Sequence, residues 1–164
     1  IKRGKILSND FTDTKTVVVD AIKKLERKKL NFEFVCCVYP TSIFIKKKYF
    51  NFYLKKIQKD KLDFMFSAKK YDHSIFRSFY QGVNKIIFPI FKNKKNQKKR
   101  TQDYKDAYHD AGQFYLGHKK SWITKKIIIN GNVGFIKIGK FDSIDIDNKD
   151  DWINAKILWS MSKK

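Results

Sequence analysis

The sequence holds little cysteine, and what it has argues against a disulfide. Its two cysteines are the adjacent Cys36 and Cys37, within the apolar run "FEFVCCVYP". Neighbouring residues of a strand point to opposite faces, so an ordinary disulfide between these two is geometrically awkward. The run predicts a strand that is buried on both faces. Unpaired thiols are typical of a reducing compartment, and we expect a cytoplasmic protein.

Long apolar runs are also missing. None approaches the roughly 20 residues that cross a bilayer, so we expect no membrane-spanning helix and no membrane partner. The sequence begins at Ile1 without a methionine, and residues 1–10 lack the apolar core of a secretion signal. A length of 164 residues is typical of one domain. We therefore expect a single domain over residues 1–164 that lacks its N-terminal segment.

Acidic residues and arginine are scarce too. The sequence has 37 lysines and arginines against 16 aspartates and glutamates, a formal net charge of +21, and only four of the basic residues are arginine. Clustered basic residues bind nucleic acid through counterion release. Here, however, lysine is enriched together with isoleucine, asparagine, phenylalanine and tyrosine, all of which have A/T-rich codons. A low-GC genome accounts for this composition, and we favour that interpretation over nucleic acid as a partner.

The first half of the chain alternates helix and strand patterns. Apolar residues recur at helical spacing over residues 14–30 and again over residues 46–59. Two apolar runs, "FEFVCCVY" and "LDFMFSA", predict strands before and after the second helix. A strand, helix, strand order implies a right-handed parallel crossover, so the fold class predicted is α/β.

The second half is less regular. "KKIIINGNVGFIKIG" predicts two β runs about a turn at Asn130 and Gly131. A final helix is predicted over residues 150–161. Asn148, followed three residues later by Asp151, is typical of a helix start. Between the halves, the apolar residues 86–91 show neither a helical nor an alternating pattern and precede the basic run 92–100. Such a segment is typical of an interaction arm, which we expect at about residues 76–108.

The acidic residues that the chain does have are concentrated in "DIDNKDD". Asp150 and Asp151 suit the first turn of a helix, where carboxylates complement the helix dipole. Asp145 and Asp147 precede that helix and project from the same side of an extended segment. Two carboxylates held together repel each other unless a cation joins them, and Mg2+ takes one or two protein carboxylates. A strand end with no bound metal is the alternative.

Two further stretches concentrate polar residues. "YPTS" follows the first predicted strand, which places Tyr39, Thr41 and Ser42 at the carboxyl end of a parallel sheet, where open α/β folds bind ligands. A plain strand-ending turn is the alternative. "RTQDYKDAYHDAGQFYLG" is dense in side chains that suit a polyhydroxylated ligand, and Gly112 suits a tight turn. His109 taken alone is more often a structural residue than a catalyst.

Together these motifs resemble the cytidylyltransferases that activate nonulosonic (sialic-type) sugars, most closely the pseudaminic acid cytidylyltransferases. The likeness runs through five segments in order: "RGKILSNDFTDT", "YPTS", "IFRSF", "RTQDYKDAYHDAGQFY" and "DIDNKDDW". It covers almost the whole chain. Tyr39 before "PTS", with "AYHDAGQFY", favours the pseudaminic branch over the N-acetylneuraminate enzymes.

The resemblance implies a Rossmann-like, three-layer fold of the nucleotide-diphospho-sugar transferase type, with a mainly parallel sheet. It implies transfer of CMP from CTP to a nine-carbon sugar acid, with release of pyrophosphate, in cell-surface glycan biosynthesis by a homodimer. Asp145 and Asp147 would hold Mg2+ and, with Arg100, form the catalytic set. The implied nucleotide contacts are Arg3, Ser8 and Asp10. The residues implied to face the sugar are Tyr39, Gln102, Asp103, Gln113 and Tyr115. Further implied substrate contacts are Thr41, Ser42, His109 and Asp110.

Two departures from the family pattern matter. Gly4 stands where the family usually has proline, which loosens the loop but retains Arg3. The family's opening strand and glycine-rich loop do not occur in these residues, so we expect the 164 residues alone to be inactive, because that loop grips the triphosphate. Three alternatives remain open at this stage: an N-acetylneuraminate or legionaminate enzyme, a basic nucleic-acid-binding domain, and a degenerate paralogue without catalysis.

Overall fold

A computed structural model describes residues 1–47, 50–92, 99–125 and 127–162. Helices and strands follow in the order α1 (Thr14–Arg27), β1 (Phe34–Val38), α2 (Phe50–Lys59), β2 (Phe64–Lys70), β3 (Phe79–Gln81), β4 (Ile87–Pro89), β5 (Tyr108–His118), α3 (Lys119–Thr124), β6 (Val133–Lys137) and α4 (Lys149–Ser162). Short 3-10 turns occur at Lys5–Leu7, Ile75–Arg77, Val83–Lys85 and Thr101–Asp103. Among these residues, no helix is both long and apolar enough to cross a membrane.

The main sheet has four strands in the order β1, β5, β2, β6. Strand β5 runs antiparallel to both β1 and β2, and β6 runs parallel to β2. Three strands therefore point the same way, and β5 lies reversed between two of them. The predicted α/β class with a mainly parallel sheet is confirmed. Strands β1 and β2 are parallel as expected, although β5 separates them.

Helices cover both faces of this sheet. On one face, Val18 and Ile22 of α1 and Trp122 of α3 pack against Phe64 and Phe66 of β2. On the opposite face, the buried residues are Tyr53 and Ile57 of α2 with Met65, Phe114 and Leu116. Successive side chains of a strand point to opposite faces, which is why Phe64 and Met65 enter different cores. The result is a three-layer arrangement with the sheet in the middle.

Two helices begin with side-chain caps. The Asp13 carboxylate accepts hydrogen bonds from the backbone N–H and the hydroxyl of Thr16, both at 2.8 Å. Before α4, the Asn148 side chain accepts from the N–H of Asp151 at 3.0 Å, and the Asp151 carboxylate accepts from the N–H of Asn148 at 3.1 Å. This reciprocal pair is a capping box with aspartate in the third helical position. It confirms the predicted start of the final helix.

Strand β1 differs from the strand predicted, which was buried on both faces. It lies at the edge of the sheet and pairs only with β5 among the described strands. Its exposure alternates, and both Cys36 and Val38 are exposed. The cysteines are free thiols. A strand with only one face covered leaves the side chains of its other face exposed. The apolar run therefore predicted more burial than β1 has.

The predicted pair of β runs about Asn130 and Gly131 is wrong. Of the described residues there, only Val133–Lys137 forms a strand, and it pairs with β2. The turn is fastened to the segment entering β2 instead: the Asp63 N–H donates to the Asn132 carbonyl at 2.7 Å, and the Asn132 side chain donates to the Lys61 carbonyl at 2.6 Å. These bonds place β6 beside β2 from its first residue.

A small hairpin of β3 and β4 forms a second sheet within residues 76–108. Its apolar side chains are exposed, with 57% of Phe79, 56% of Ile87 and 54% of Ile90 open to solvent. Phe76 fixes its base by stacking on Tyr104 at 5.5 Å and contacting Phe91 at 5.3 Å between ring centroids. Of the basic run 92–100, residues 93–98 lie outside the described residues. The arm and the single domain remain predictions.

Candidate functional site

A cleft of about 530 Å³ opens at the carboxyl end of β2. Its walls come from four places in the sequence: the end of β2 and the loop after it, His109 at the start of β5, the segment that leads to α4, and Leu158 of α4 itself. Asp145 belongs to the third of these. Carboxyl ends of parallel strands are the usual ligand-binding edge of an open α/β sheet. The cleft therefore lies where this topology favours a site.

A bulge in β5 shapes the neighbouring wall. The pairing with β2 shifts register between Phe66 and Ala68, which face Tyr115 and Asp110 respectively. Gly112 lies in the extra stretch with φ +63°, a conformation that costs a side-chain-bearing residue energy. A Cβ at Gly112 would lie 3.5 Å from Oδ2 of Asp145. The bulge thus brings the β5 backbone directly against the first aspartate of "DID".

The Asp110 carboxylate holds this bulge from within. It accepts a hydrogen bond from the Gly112 N–H at 2.9 Å and another from the Tyr115 hydroxyl. Burial raises the pKa of the Asp110 carboxyl, and the negative charge of Asp145 raises it further, against the Gly112 hydrogen bond and nearby His109, which lower it. Asp145 is therefore electrostatically coupled to Asp110.

Tyr39 completes this group from the end of β1. Its ring packs edge-on against Tyr115, with 5.8 Å between centroids and an interplanar angle of 84°. Its hydroxyl lies 2.9 Å from the Thr14 hydroxyl at the start of α1. Burial raises the pKa of the Tyr39 phenol, and the charges of Asp110 and Asp145 act in the same direction. Residues from "YPTS", "AYHDAGQFY" and "DID" therefore meet in one place.

Gln113 ties three segments together through buried hydrogen bonds. Its backbone carbonyl accepts from the Ser42 hydroxyl at 2.6 Å and from the Tyr39 N–H at 3.0 Å. Its side-chain amide donates to the Asp142 carbonyl at 2.6 Å. Gln113 and Ser42 are both buried, so in this arrangement they fix the backbone around the cleft. Thr41, half-buried, lies in the same turn.

Asp145 and Asp147 are exposed, and no described cation lies within ion-pairing distance of either carboxylate. The Asp147 N–H donates to the Asp151 carboxylate at 3.1 Å, so the capping box of α4 fixes the backbone of the second aspartate. No cluster of three or more His, Cys, Asp or Glu suited to a metal occurs within the described ranges. Two free carboxylates are nevertheless the protein ligands that Mg2+ uses beside substrate phosphates, and the donor set fits this ion.

The N-terminal candidates form a local turn. The Arg3 guanidinium donates to the Leu7 carbonyl, and the Ser8 hydroxyl donates to the Gly4 carbonyl at 3.0 Å. Asp10 is exposed. The described contacts of Arg3 and Ser8 are within this segment, and neither these two nor Asp10 lines the cleft. Their predicted nucleotide contacts stay predictions.

The "RTQD" candidates lie beside the cleft without entering it. Arg100 forms an ion pair with Asp103, with Nε 3.1 Å from Oδ2. Gln102 lines a neighbouring cleft of about 460 Å³, which shares Lys70 and Tyr71 with the first. His109 does line the first cleft: its ring packs on Tyr71 with 4.9 Å between centroids, and its Nδ1 lies 2.8 Å from the Asp110 carbonyl oxygen.

Several cleft residues escaped the sequence analysis, among them Lys69, Tyr71, His73, Lys140 and Ser143. Lys69 and Tyr71 lie where β2 ends. Like "YPTS" after β1, "YDHS" directly follows an apolar strand of the same sheet, and the same signal therefore pointed to the end of β2. Ser74 also lines the cleft, and its buried hydroxyl has no hydrogen-bond partner in the described part of the chain.

No protein-family model matches the chain. Three curated proteins are similar in sequence. A pseudaminic acid cytidylyltransferase of Campylobacter jejuni serotype O:2 is 31% identical over 160 residues, which cover 98% of this chain and 68% of that protein. Its counterpart in serotype O:23/36 matches with the same identity and coverage.

The third relative is from Helicobacter pylori and combines a pseudaminic acid cytidylyltransferase with a UDP-2,4-diacetamido-2,4,6-trideoxy-beta-L-altropyranose hydrolase. It is 28% identical over 145 residues, covering 88% of this chain and 27% of that longer protein. The segments that meet at the cleft lie within a likeness that extends over nearly the whole chain. The chain belongs to the pseudaminic acid cytidylyltransferase family.

Proposed function

We propose that this protein transfers the CMP group of CTP to pseudaminic acid, a nine-carbon sugar acid, and releases pyrophosphate. The CMP-sugar then serves cell-surface glycan synthesis. The observation that carries the proposal is the meeting of Tyr39, the β5 bulge and Asp145 beside one cleft, in a chain of this family. Its free thiols suit activity in a reducing cytoplasm.

The reaction is a single displacement at phosphorus. The anomeric oxygen of the sugar forms a bond to the α-phosphorus while the bond from that phosphorus to the pyrophosphate oxygen breaks. The hydroxyl proton leaves to a base or to solvent. Most of the catalysis required is positioning and neutralisation of charge. In this protein the fixed backbone around Gln113 and the Asp110-held bulge would supply the positioning.

We assign Mg2+ to Asp145 and Asp147. Two free, exposed carboxylates two residues apart support this assignment, together with the position of Asp145 beside the cleft and the β5 bulge. Bound there, the ion would neutralise phosphate charge as pyrophosphate departs. The capping box from Asn148 to Asp151 positions the second ligand by holding the Asp147 backbone.

The remaining predicted residues take roles in substrate binding. We assign Tyr39, Tyr115 and His109 to the sugar: His109 lines the cleft, and Tyr39 packs edge-on against Tyr115. Gln102, which lines the neighbouring cleft, is assigned to the sugar as well. We propose that Arg100 joins the site once a substrate anion competes with Asp103 for its guanidinium. Arg3, Ser8 and Asp10 are assigned to the nucleotide on the family pattern.

We also propose that two copies assemble through the β3–β4 hairpin. Exposed Phe79, Ile87 and Ile90 form an apolar surface on a projecting element, and such surfaces usually mark an interface. The nearby basic residues Lys92 and Lys99 would then approach the partner's sugar site.

The test is pyrophosphate release by a purified chain that also carries the family's opening strand and glycine-rich loop, with CTP, Mg2+ and one sugar acid at a time. Pseudaminic acid should give the highest kcat/KM, with N-acetylneuraminic and legionaminic acids as matched controls of similar size and charge. Turnover should depend on Mg2+. Equal or better turnover with either control sugar would contradict the assigned substrate, and no turnover with any of the three would contradict the proposed activity.

A further inference from the structure

We propose that Lys69 is an oxyanion-binding residue of the cleft and contacts either the carboxylate of the sugar acid or a phosphate of the nucleotide. This inference rests on the function proposed above, because it assumes that an acidic substrate enters the cleft. It adds a ligand contact that the family motifs in this chain did not indicate.

Lys69 is placed at the functional edge of the sheet. It is near the end of β2, and its partner across the β2–β5 ladder is His109. Both residues line the cleft that also includes Asp145. The Lys69 side chain is half-buried, and its ammonium donates to the Ser143 carbonyl at 3.2 Å. An ammonium has three donors, so this bond leaves two for a ligand.

The charge of Lys69 is not neutralised as the charges around it are. Lys140 forms an ion pair with Asp72 at 2.7 Å, and Lys70 forms one with Asp106. Arg100 is paired with Asp103 at 3.1 Å. Within the described ranges no carboxylate lies within ion-pairing distance of Lys69. Lys69 is therefore the cleft lysine whose charge is still available to an incoming anion.

Burial makes this arrangement costly without a ligand. It lowers the pKa of Lys69, and the more distant charge of Asp72 opposes that effect only in part. A half-buried ammonium is stabilised by an anion in contact with it. A cation ligand is disfavoured at the same position for the same electrostatic reason. Carboxylate and phosphate oxygens both meet the requirement, so the source has to be decided by experiment.

Equilibrium binding separates the two sources. Calorimetric titrations of pseudaminic acid, CTP and pyrophosphate, each at fixed ionic strength, are compared for the parent protein and for Lys69→Met. Removal of a charge-assisted hydrogen bond should weaken one ligand at least about tenfold. Lys56→Met is the matched control, because Lys56 of α2 is paired with Asp60 and neither residue lines the cleft. It removes the same charge and should change binding less than about twofold.

Each outcome decides the inference. Weaker binding of the sugar acid alone supports the carboxylate as the source, and weaker binding of CTP or pyrophosphate supports phosphate. Equal binding of all three by the parent and Lys69→Met, or no binding of any by the parent, overturns the proposal. If Lys69→Met does not fold, Lys69→Gln is titrated instead, and Lys69→Arg should retain binding. If a chain that also carries the family's glycine-rich loop binds these ligands but releases no pyrophosphate, the proposed function is contradicted and the Lys69 contact stands.

Discussion

Gly112 and Asp145 face each other so closely that a Cβ on Gly112 would lie 3.5 Å from the Asp145 Oδ2. The contact distance alone is ordinary. The conformation of Gly112 is not, because its φ of +63° is one that side-chain-bearing residues rarely adopt. The contact between the β5 bulge and the "DID" segment thus depends on glycine for its backbone rather than for its small size.

Replacing Gly112 with alanine should destabilise the fold by about 1–2 kcal/mol, the cost of a left-handed conformation for an L-residue. Urea denaturation of the parent and Gly112→Ala measures it. Gly4→Ala is the control, since nothing lies within 4 Å of a Cβ there; its φ is an ordinary −68°. Equal stability of the parent and Gly112→Ala would contradict the strain argument.

In a chain that also carries the family's glycine-rich loop, replacing Asp145 or Asp147 with asparagine should lower kcat/KM by at least about 100-fold at saturating CTP, because each change removes a metal ligand. The fold should persist, since both side chains are exposed. Asp150→Asn is the matched control, because Asp150 is another exposed acid two residues past the capping asparagine. A doubly substituted Asp145→Asn, Asp147→Asn protein with parental activity would refute the metal assignment.

The Asp13 cap should make stability depend on pH. Hydrogen bonds from Thr16 hold the pKa of Asp13 below its ordinary value of 3.8. A lowered pKa in the folded state contributes stability that is present above the ordinary value and is lost as the pH falls through the folded-state pKa. Asp13→Ala should cost about 1 kcal/mol at pH near 7, and less in acid below pH 3.8.

Urea denaturation at both pH values checks this. Asp13→Asn retains an acceptor oxygen without the charge and should show a weaker pH dependence than the parent. A difference between the parent and Asp13→Ala that grows as the solution is acidified would contradict the expectation.

The double substitution Ile87→Asp, Ile90→Asp should convert the proposed hairpin dimer to monomers and weaken sugar binding. The charges would enter an apolar contact that the exposed hairpin offers to a second copy. Sedimentation velocity over a range of concentrations measures the state of assembly. Ile129→Asp is the matched control, because Ile129 is 52% exposed against 54% for Ile90 and lies outside the hairpin. A parent protein that sediments as a monomer well above micromolar concentration would rule out the hairpin interface.

Local sequence patterns predicted the elements that obey a single period. Helical spacing located α1 and α2, and the start of α4 was predicted from Asn148 and Asp151 because a capping box is a local interaction. The strand at β5 was missed, since the bulge at Gly112 interrupts its alternation and Phe114, Tyr115 and Leu116 are buried in succession on both faces. The pairing of β6 was predicted wrongly, because the turn signal at Asn130 and Gly131 is local. It does not indicate that β6 pairs with β2.

The candidate site divides in the same way. Tyr39 and Asp145 were predicted because they follow apolar strands or interrupt the basic composition. Lys69 gave no such signal, since one lysine stands out little among 37 basic residues. Lys69 differs from the other cleft lysines because it has no ion pair among the described residues. That difference is visible only in the structure, where Asp72 pairs with Lys140 and Asp106 pairs with Lys70.

The reversed strand β5 has a consequence for how the protein is made. Strands β1 and β2 have no ladder to each other, and each is held by β5, with Phe34 opposite His118 and Phe64 opposite Gly117. During synthesis, the edges of β1 and β2 that pair with β5 stay unpaired until β5 has emerged from the ribosome, up to residue 118. Pairing over such sequence separations is slow and exposes aggregation-prone edges. Synthesis rate and chaperone supply should therefore affect the yield of this protein more than its equilibrium stability does.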